Sequence, residues 1–167
     1  GNLFSLGRLQ FEPGLACLPY RVYRHGHGRR LAAVAEDGVW CDEQDHPELH
    51  AGKWQTRFTE SETHFSGHPV NISRGTLRPD AVEFSKADWS LKLVPNDPVL
   101  HVHIPAGDPL DPKACEDSII RAWDFFDRHF PETSFRGMMC RSWLLDPRLT
   151  GLRILDPNSQ IARFAAR

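Results

Sequence analysis

The chain has 167 residues, 40% of them hydrophobic and 25% charged, with a formal net charge of −2. That composition suits a single domain whose core needs no staples. It excludes the basic excess of a nucleic-acid or anionic-membrane surface, and no apolar run approaches the ~20 residues of a membrane span. Residues 4–12 read as a first strand, apolar at Phe4, Leu6, Leu9 and Phe11, with Gly7 as a bulge and Pro13-Gly14 as the closing turn. Residues 20–24 and 31–35 read as a hairpin joined by His25-Gly26-His27-Gly28. Asp37-Gly38 is a further tight turn before Val39-Trp40-Cys41, and residues 42–64 read as a long polar loop. Short runs at 69–72, 75–77, 81–84 and 89–93 then predict an antiparallel meander.

The organisation changes at Val99. Residues 99–104 form a strand ended by Pro105; Asp111 is a good N-cap and Pro112 suits the first helical position. From there to Phe130, Cys115, Ile119, Ala122, Trp123, Phe126 and Phe130 recur at helical spacing, which predicts a one-faced helix with Trp123 in the core. Pro131 stops it, residues 135–145 return as a strand, and Asp146-Pro147 starts a short helix or turn. Strand, helix, strand is a right-handed crossover whose two strands are parallel. The expected fold is therefore α+β: a mixed, mainly antiparallel sheet with a C-terminal βαβ unit.

His101 and His103 lie two apart on a strand and share a face. Three readings stand for them: buried structural histidines, a general base that deprotonates an amine, or part of a His-x-His metal site. Cys140 and Ser142 share a strand face by the same spacing. Ser142 suits a hydrogen-bond donor or proton relay, while Cys140 is either a small core residue or a nucleophile activated by a histidine. Glu12, ending the first strand, is a candidate second base against the reading of a solvated carboxylate. His25 and His27, between glycines at a hairpin tip, read as a solvent loop rather than a metal site. The four cysteines, Cys17, Cys41, Cys115 and Cys140, form no CxxC pair and are expected to be thiols.

The order of elements resembles the GNAT N-acyltransferase fold from its second strand onward. Three stretches sharpen it: Ser5-Leu6-Gly7-Arg8-Leu9-Gln10-Phe11-Glu12, Val99-Leu100-His101-Val102-His103-Ile104-Pro105-Ala106-Gly107, and Cys140-Arg141-Ser142-Trp143-Leu144-Leu145-Asp146-Pro147. They resemble the GNAT-like C-terminal domain of bacterial acyltransferase-domain-containing proteins, over nearly the whole chain. The resemblance implies a single GNAT-like domain over 1–167, the C-terminal part of a longer cytoplasmic protein whose helical N-terminal part would be its partner. It implies acyl transfer from acyl-CoA or a related thioester co-substrate to an amine, without a metal. His103 and Ile104 would lie on the strand that pairs with the donor's arm, with Ala106, Gly107, Asp108 and Leu110 in the loop that cradles its pyrophosphate. Against the usual glycine-rich loop, Pro105, Pro109 and Pro112 remove N–H donors, and Asp108 and Asp111 place negative charge there. That composition suits a different acyl carrier, or no donor. The alternatives to an acyltransferase are a GNAT-shaped binding or regulatory domain and a metal-binding His-x-His enzyme.

Overall fold

The computed structural model describes residues 1–28 and 30–142. The chain begins with β1 (Phe4–Leu6) and β2 (Leu9–Leu15). Then come β3 (Tyr20–His25), β4 (Leu31–Ala35), β5 (Trp40–Cys41), β6 (Pro47–Glu48), β7 (Trp54–Gln55), β8 (Thr59–Glu60) and β9 (His64–Gly67). β10 (Val70–Asn71), β11 (Thr76–Leu77), β12 (Val82–Ser85) and β13 (Trp89–Leu93) follow, and β14 (Pro98–His103), α1 (Pro112–His129) and β15 (Gly137–Cys140) close the described chain. Among the described residues the chain is thus mainly β, with a single helix and strands that pair mostly antiparallel. They fall into two compact units: Gly1–Ala16 together with the chain from Asp97 onward, and Cys17–Asn96.

The first unit holds a four-stranded sheet in the order β1-β2-β14-β15. β2 runs antiparallel to β14, with Glu12 opposite His101 and Gln10 opposite His103. β14 runs parallel to β15, with His101 opposite Met139 and Val102 opposite Cys140. The expected parallel pair joined by a helical crossover is present. Residues 4–12 are two strands rather than one. Gly7 takes φ +75° and forms a hairpin turn instead of a bulge, because β1 folds back onto β2 with Phe4 opposite Phe11. Pro13-Gly14 does not end β2, which runs on to Leu15 against Pro98. β1 gives out opposite Phe11, so Pro13 has no ladder partner on that side to miss its N–H.

α1 covers one face of this sheet. Asp111 is its N-cap, accepting the Ala114 N–H at 2.8 Å, and Pro112 stands in the first turn as expected. Cys115, Ser118, Ala122 and Phe126 are buried on its inner stripe, against Leu9, Phe11 and Leu100 of the sheet. The stripe is turned from the expected one. Ile119 is exposed and Trp123 only half-buried, while Ser118 sits fully inside. Ser118 is satisfied there: it accepts the Arg8 N–H at 2.7 Å and donates to the Ala114 carbonyl at 2.8 Å. A Cβ at Gly7 would stand 2.7 Å from Ser118 Oγ, so the glycine turn and the buried serine seat the first hairpin on the helix together.

The second unit is built from three-stranded sheets β13-β3-β4, β12-β9-β8 and β6-β5-β7 and the hairpin β10-β11. The hairpin of residues 20–24 with 31–35 forms as predicted, and His25 and His27 lie at its turn. The predicted polar loop 42–64 instead carries three two-residue strands and the start of β9. The predicted meander is not sequential, since β12 pairs with β9 and β13 with β3. Tyr23, Val34 and Phe65 form one core there; the Tyr23 and Phe65 rings stack at 3.9 Å. Ala35, Cys41 and Leu77 form another. Burial, with Asp45 and Asp42 nearby, pushes the Cys41 thiol up to about 11. All four cysteines are thiols, as expected.

Candidate active site

The site is set by where the β14–β15 ladder stops. Its last pair is Val102 with Cys140; β15 ends there, while β14 runs on to His103, which pairs with Gln10 of β2. At that end a cavity opens on each face of the strand pair, and Val102 borders both. Alternation along β14 sends Leu100 and Val102 toward the helix and His101 and His103 to the other face.

The cavity on the histidine face measures about 780 Å³ and is lined by Glu12, His101, His103, Met139, Arg141 and Ser142, among others. Four candidates singled out in the sequence, Glu12, His101, His103 and Ser142, thus border one cavity. Glu12 lies in the middle of β2 rather than at its end, with its side chain on the His101 face. His103 Nε2 is 3.3 Å from Glu12 Oε2. His101 Nε2 is 2.9 Å from the Leu15 carbonyl oxygen. A carbonyl and a carboxylate oxygen only accept, so Nε2 is the donor in both contacts, and in the neutral imidazole the lone pair then lies on Nδ1. Two imidazoles on one strand face are thereby held through the same ring nitrogen.

Gly14 makes the His101 orientation feasible. A Cβ at that position would meet the ring at 2.5 Å from Cδ2 and 2.7 Å from Nε2. Its backbone conformation tolerates a side chain, so the collision falls on the imidazole rather than on the strand. Gly14→Ala is expected to keep the fold and swing His101 off the Leu15 carbonyl. Nitrogen-15 spectra of the imidazoles should show His101 losing its fixed Nε2–H tautomer; an unchanged His101 signal would refute this reading of Gly14.

The cavity on the helix face measures about 330 Å³ and is mostly apolar, bordered by Leu9, Val102, Ile104, Cys115, Ile119 and Cys140, among others. Cys140 belongs here and Ser142 to the histidine face. The expected shared strand face fails because β15 ends at Cys140, before the alternation reaches Ser142. Burial pushes the Cys140 thiol up, and the sheet stands between it and the histidines; it is not set up as an activated nucleophile. Burial also pushes up the Cys115 thiol, against a lowering by Arg8. Among the described residues no group of three or more His, Cys, Asp or Glu is arranged to hold a metal ion. The stretch from Trp143 to Pro147 lies outside the described residues.

A family model described as a GNAT-like C-terminal domain matches residues 3–167. The chain belongs to that family. No curated protein and no solved structure matches it. The domain's membership places it with the acetyltransferase-type superfamily, in which acyl-CoA is the general donor.

Its loop after β14 can be tested against that donor's pyrophosphate, and the fit is poor. Pro105, Pro109 and Pro112 have no N–H. The Asp111 N–H is taken by the Pro109 carbonyl at 3.0 Å, and the Asp111 carboxylate fills the helix N-terminus where an anion would sit. Three of the loop's carbonyls face Arg8. Arg8 donates to Pro105 O at 3.0 Å, to Pro109 O at 3.0 Å and to Asp108 O at 2.6 Å. Arg8, which the sequence reading passed over, is what holds this loop. Of the residues expected to bind the donor, Ile104 borders the helix-face cavity. The Leu110 side chain is buried in the core. Gly107 (φ +111°) and Asp108 are exposed, Ala106 is exposed beside them, and none of the three borders either cavity.

Proposed function

We propose that this GNAT-like domain is an acyltransferase module that moves an acyl group from a thioester to an amine across the open end of the β14–β15 pair. The observation that carries this reading is the early end of that ladder, with an apolar cavity on one face and an imidazole–carboxylate pair on the other. The thioester arm enters by the helix-face cavity beside Ile104 and Cys140. The amine stands at His103, whose Nδ1 takes one proton from the ammonium while Glu12 holds Nε2–H. The nitrogen attacks the thioester carbonyl carbon; the C–N bond forms and the C–S bond breaks. The second nitrogen proton ends on the departing sulfur, with Ser142 as the hydroxyl nearest the role of relay. The proton on His103 leaves to solvent. The products are an amide, a thiol and one proton.

Because the loop fills its own helix terminus, the nucleotide end of a CoA donor gains little at this site. Calorimetric titration with acetyl-CoA and with acetyl-pantetheine tests both statements. The expected result is that both bind, within about threefold of each other. Acetyl-CoA binding thirtyfold tighter would show that the pyrophosphate is held after all. Binding of neither, by the chain and by a longer protein that carries the expected helical N-terminal partner, ends the transferase reading. The same self-filled loop favours a second reading, a GNAT-shaped binding module without donor, and that outcome would select it.

A further inference from the structure

A thioester has two arms, an acyl chain and the thiol that carries it, and the lining of the helix-face cavity suits only one of them. Four elements give the cavity apolar walls: Leu9 comes from β2, Val102 from β14, Met138 from β15 and Ile119 from α1. Glu116 is the charged side chain on its border, and it is exposed. Burial pushes the Cys115 and Cys140 thiols up, so both present neutral sulfur to the cavity. A pantetheine arm carries amides, which would stand unmatched against such walls; a hydrocarbon chain has nothing to match. Val102, Met138 and Cys140 are only half-buried and Ile119 is exposed, so apolar surface is left against water that a chain would cover. The opening is pre-formed. Ile104 and Pro112 border the cavity on either side of the loop that Arg8 fastens through three carbonyls, so little has to be ordered on binding. Val102, in the last pair of the ladder, borders both cavities, which brings the carbonyl end of such a chain to the histidine face. A methylene fills much the same volume as a water molecule, about 30 Å³, so 330 Å³ takes a chain of about ten carbons.

We propose that the donor's acyl group is a medium-length hydrocarbon chain, about eight to ten carbons rather than acetyl, lying in the helix-face cavity. This rests on the transferase reading for the thioester in which the chain ends, but not for the recognition of the chain. Each methylene that leaves water gains roughly fourfold in affinity until the cavity is full.

The test uses the 167-residue chain with carbon-13 at the methionine methyls. The sequence has two methionines, Met138 on the helix-face cavity and Met139 on the histidine-face cavity, so each cavity reports through its own signal. Acetyl-, octanoyl- and tetradecanoyl-pantetheine are titrated below their micelle concentrations. Octanoyl-pantetheine is expected to bind at least thirtyfold tighter than acetyl-pantetheine, and tetradecanoyl-pantetheine within tenfold of octanoyl. The Met138 methyl should move further with octanoyl than with acetyl, while the Met139 methyl stands at the same place with both. Ile119→Asp, at an exposed helix position and checked for folding by circular dichroism, should weaken octanoyl-pantetheine at least tenfold. No octanoyl binding, equal binding of the acetyl and octanoyl donors, or a Met139 signal that follows chain length in place of Met138 overturns the proposal. So does unchanged octanoyl binding by folded Ile119→Asp. A gain that continues undiminished to tetradecanoyl overturns the medium length, because it needs an open surface instead of a cavity of this size. Octanoyl binding with the Met138 response, but with no amine acylated, supports the chain site while the transferase reading falls.

Discussion

Replacing His103 with glutamine should lower kcat/KM for acyl transfer at neutral pH by a hundredfold or more, the usual contribution of a positioned general base. The side chain stands on the exposed end of β14, so the fold should be unaffected. The loss should depend on pH in a defined direction. Without the base, only acceptor that has already lost its proton reacts, so the variant's rate climbs through the pKa of the acceptor amine. The gap to the unmodified protein narrows as pH rises. Glu12→Gln should cost less, about tenfold, because an amide oxygen still accepts from His103 Nε2 but no longer supplies the charge that opposes an imidazolium. Amide product measured by mass spectrometry between pH 6 and 9 reads both variants. His103→Gln within threefold of the unmodified protein across that range would remove the base from the mechanism and leave the donor-free binding module as the better account.

Parts of this arrangement were legible in the sequence because they depend on local chemistry. Asp111 followed by Pro112 marks a helix start on capping grounds alone, and Pro131 marks its end. Spacing by two puts His101 and His103 on one face of any strand, and a strand, a long helix and a strand leave few options but a parallel crossover. What was not legible is long-range. Glu12 faces the histidines because β2 pairs with β14 across the whole intervening unit, a register that no short window of sequence reveals. The turn at Gly7 reads as a bulge in the sequence because both interrupt an alternating pattern in the same way; only the pairing of Phe4 with Phe11 tells them apart. Ile119 and Trp123 fit a helical stripe as well as Ser118 does not. Yet the serine is inside, because Arg8 from a distant turn satisfies its hydroxyl. Arg8 itself carried no signal. Its partners are backbone carbonyls, and they exist only once the loop after β14 is folded.

The largest loss of stability should come from Phe126→Ala, and it should separate the scaffold from the site. Phe126 is fully buried and forms the centre of an aromatic cluster, with ring centroids 5.3 Å from Phe4, 5.2 Å from Phe125, 5.2 Å from Phe130 and 5.5 Å from Phe135. The contacts with Phe4, Phe125 and Phe135 are edge-on, an arrangement that adds to the burial of the ring itself. Truncation removes the transfer free energy and leaves a cavity that the surrounding rings cannot close, so the expected cost is about 3–5 kcal/mol. For a domain of this size that shows in urea as a midpoint moved well below that of the unmodified protein. The two cavities lie elsewhere on the helix and sheet: the helix-face cavity meets α1 at Pro112, Cys115, Glu116 and Ile119, two turns before Phe126, and the histidine-face cavity lies across the sheet. The folded fraction of Phe126→Ala at low temperature should therefore keep its acyl transfer per molecule within about threefold. A midpoint shift equivalent to less than 1 kcal/mol would mean that the aromatic cluster does not anchor the crossover helix. Loss of activity in molecules that remain folded would mean that the geometry at the open end of the ladder is set by the far end of the helix, about four turns from its cap.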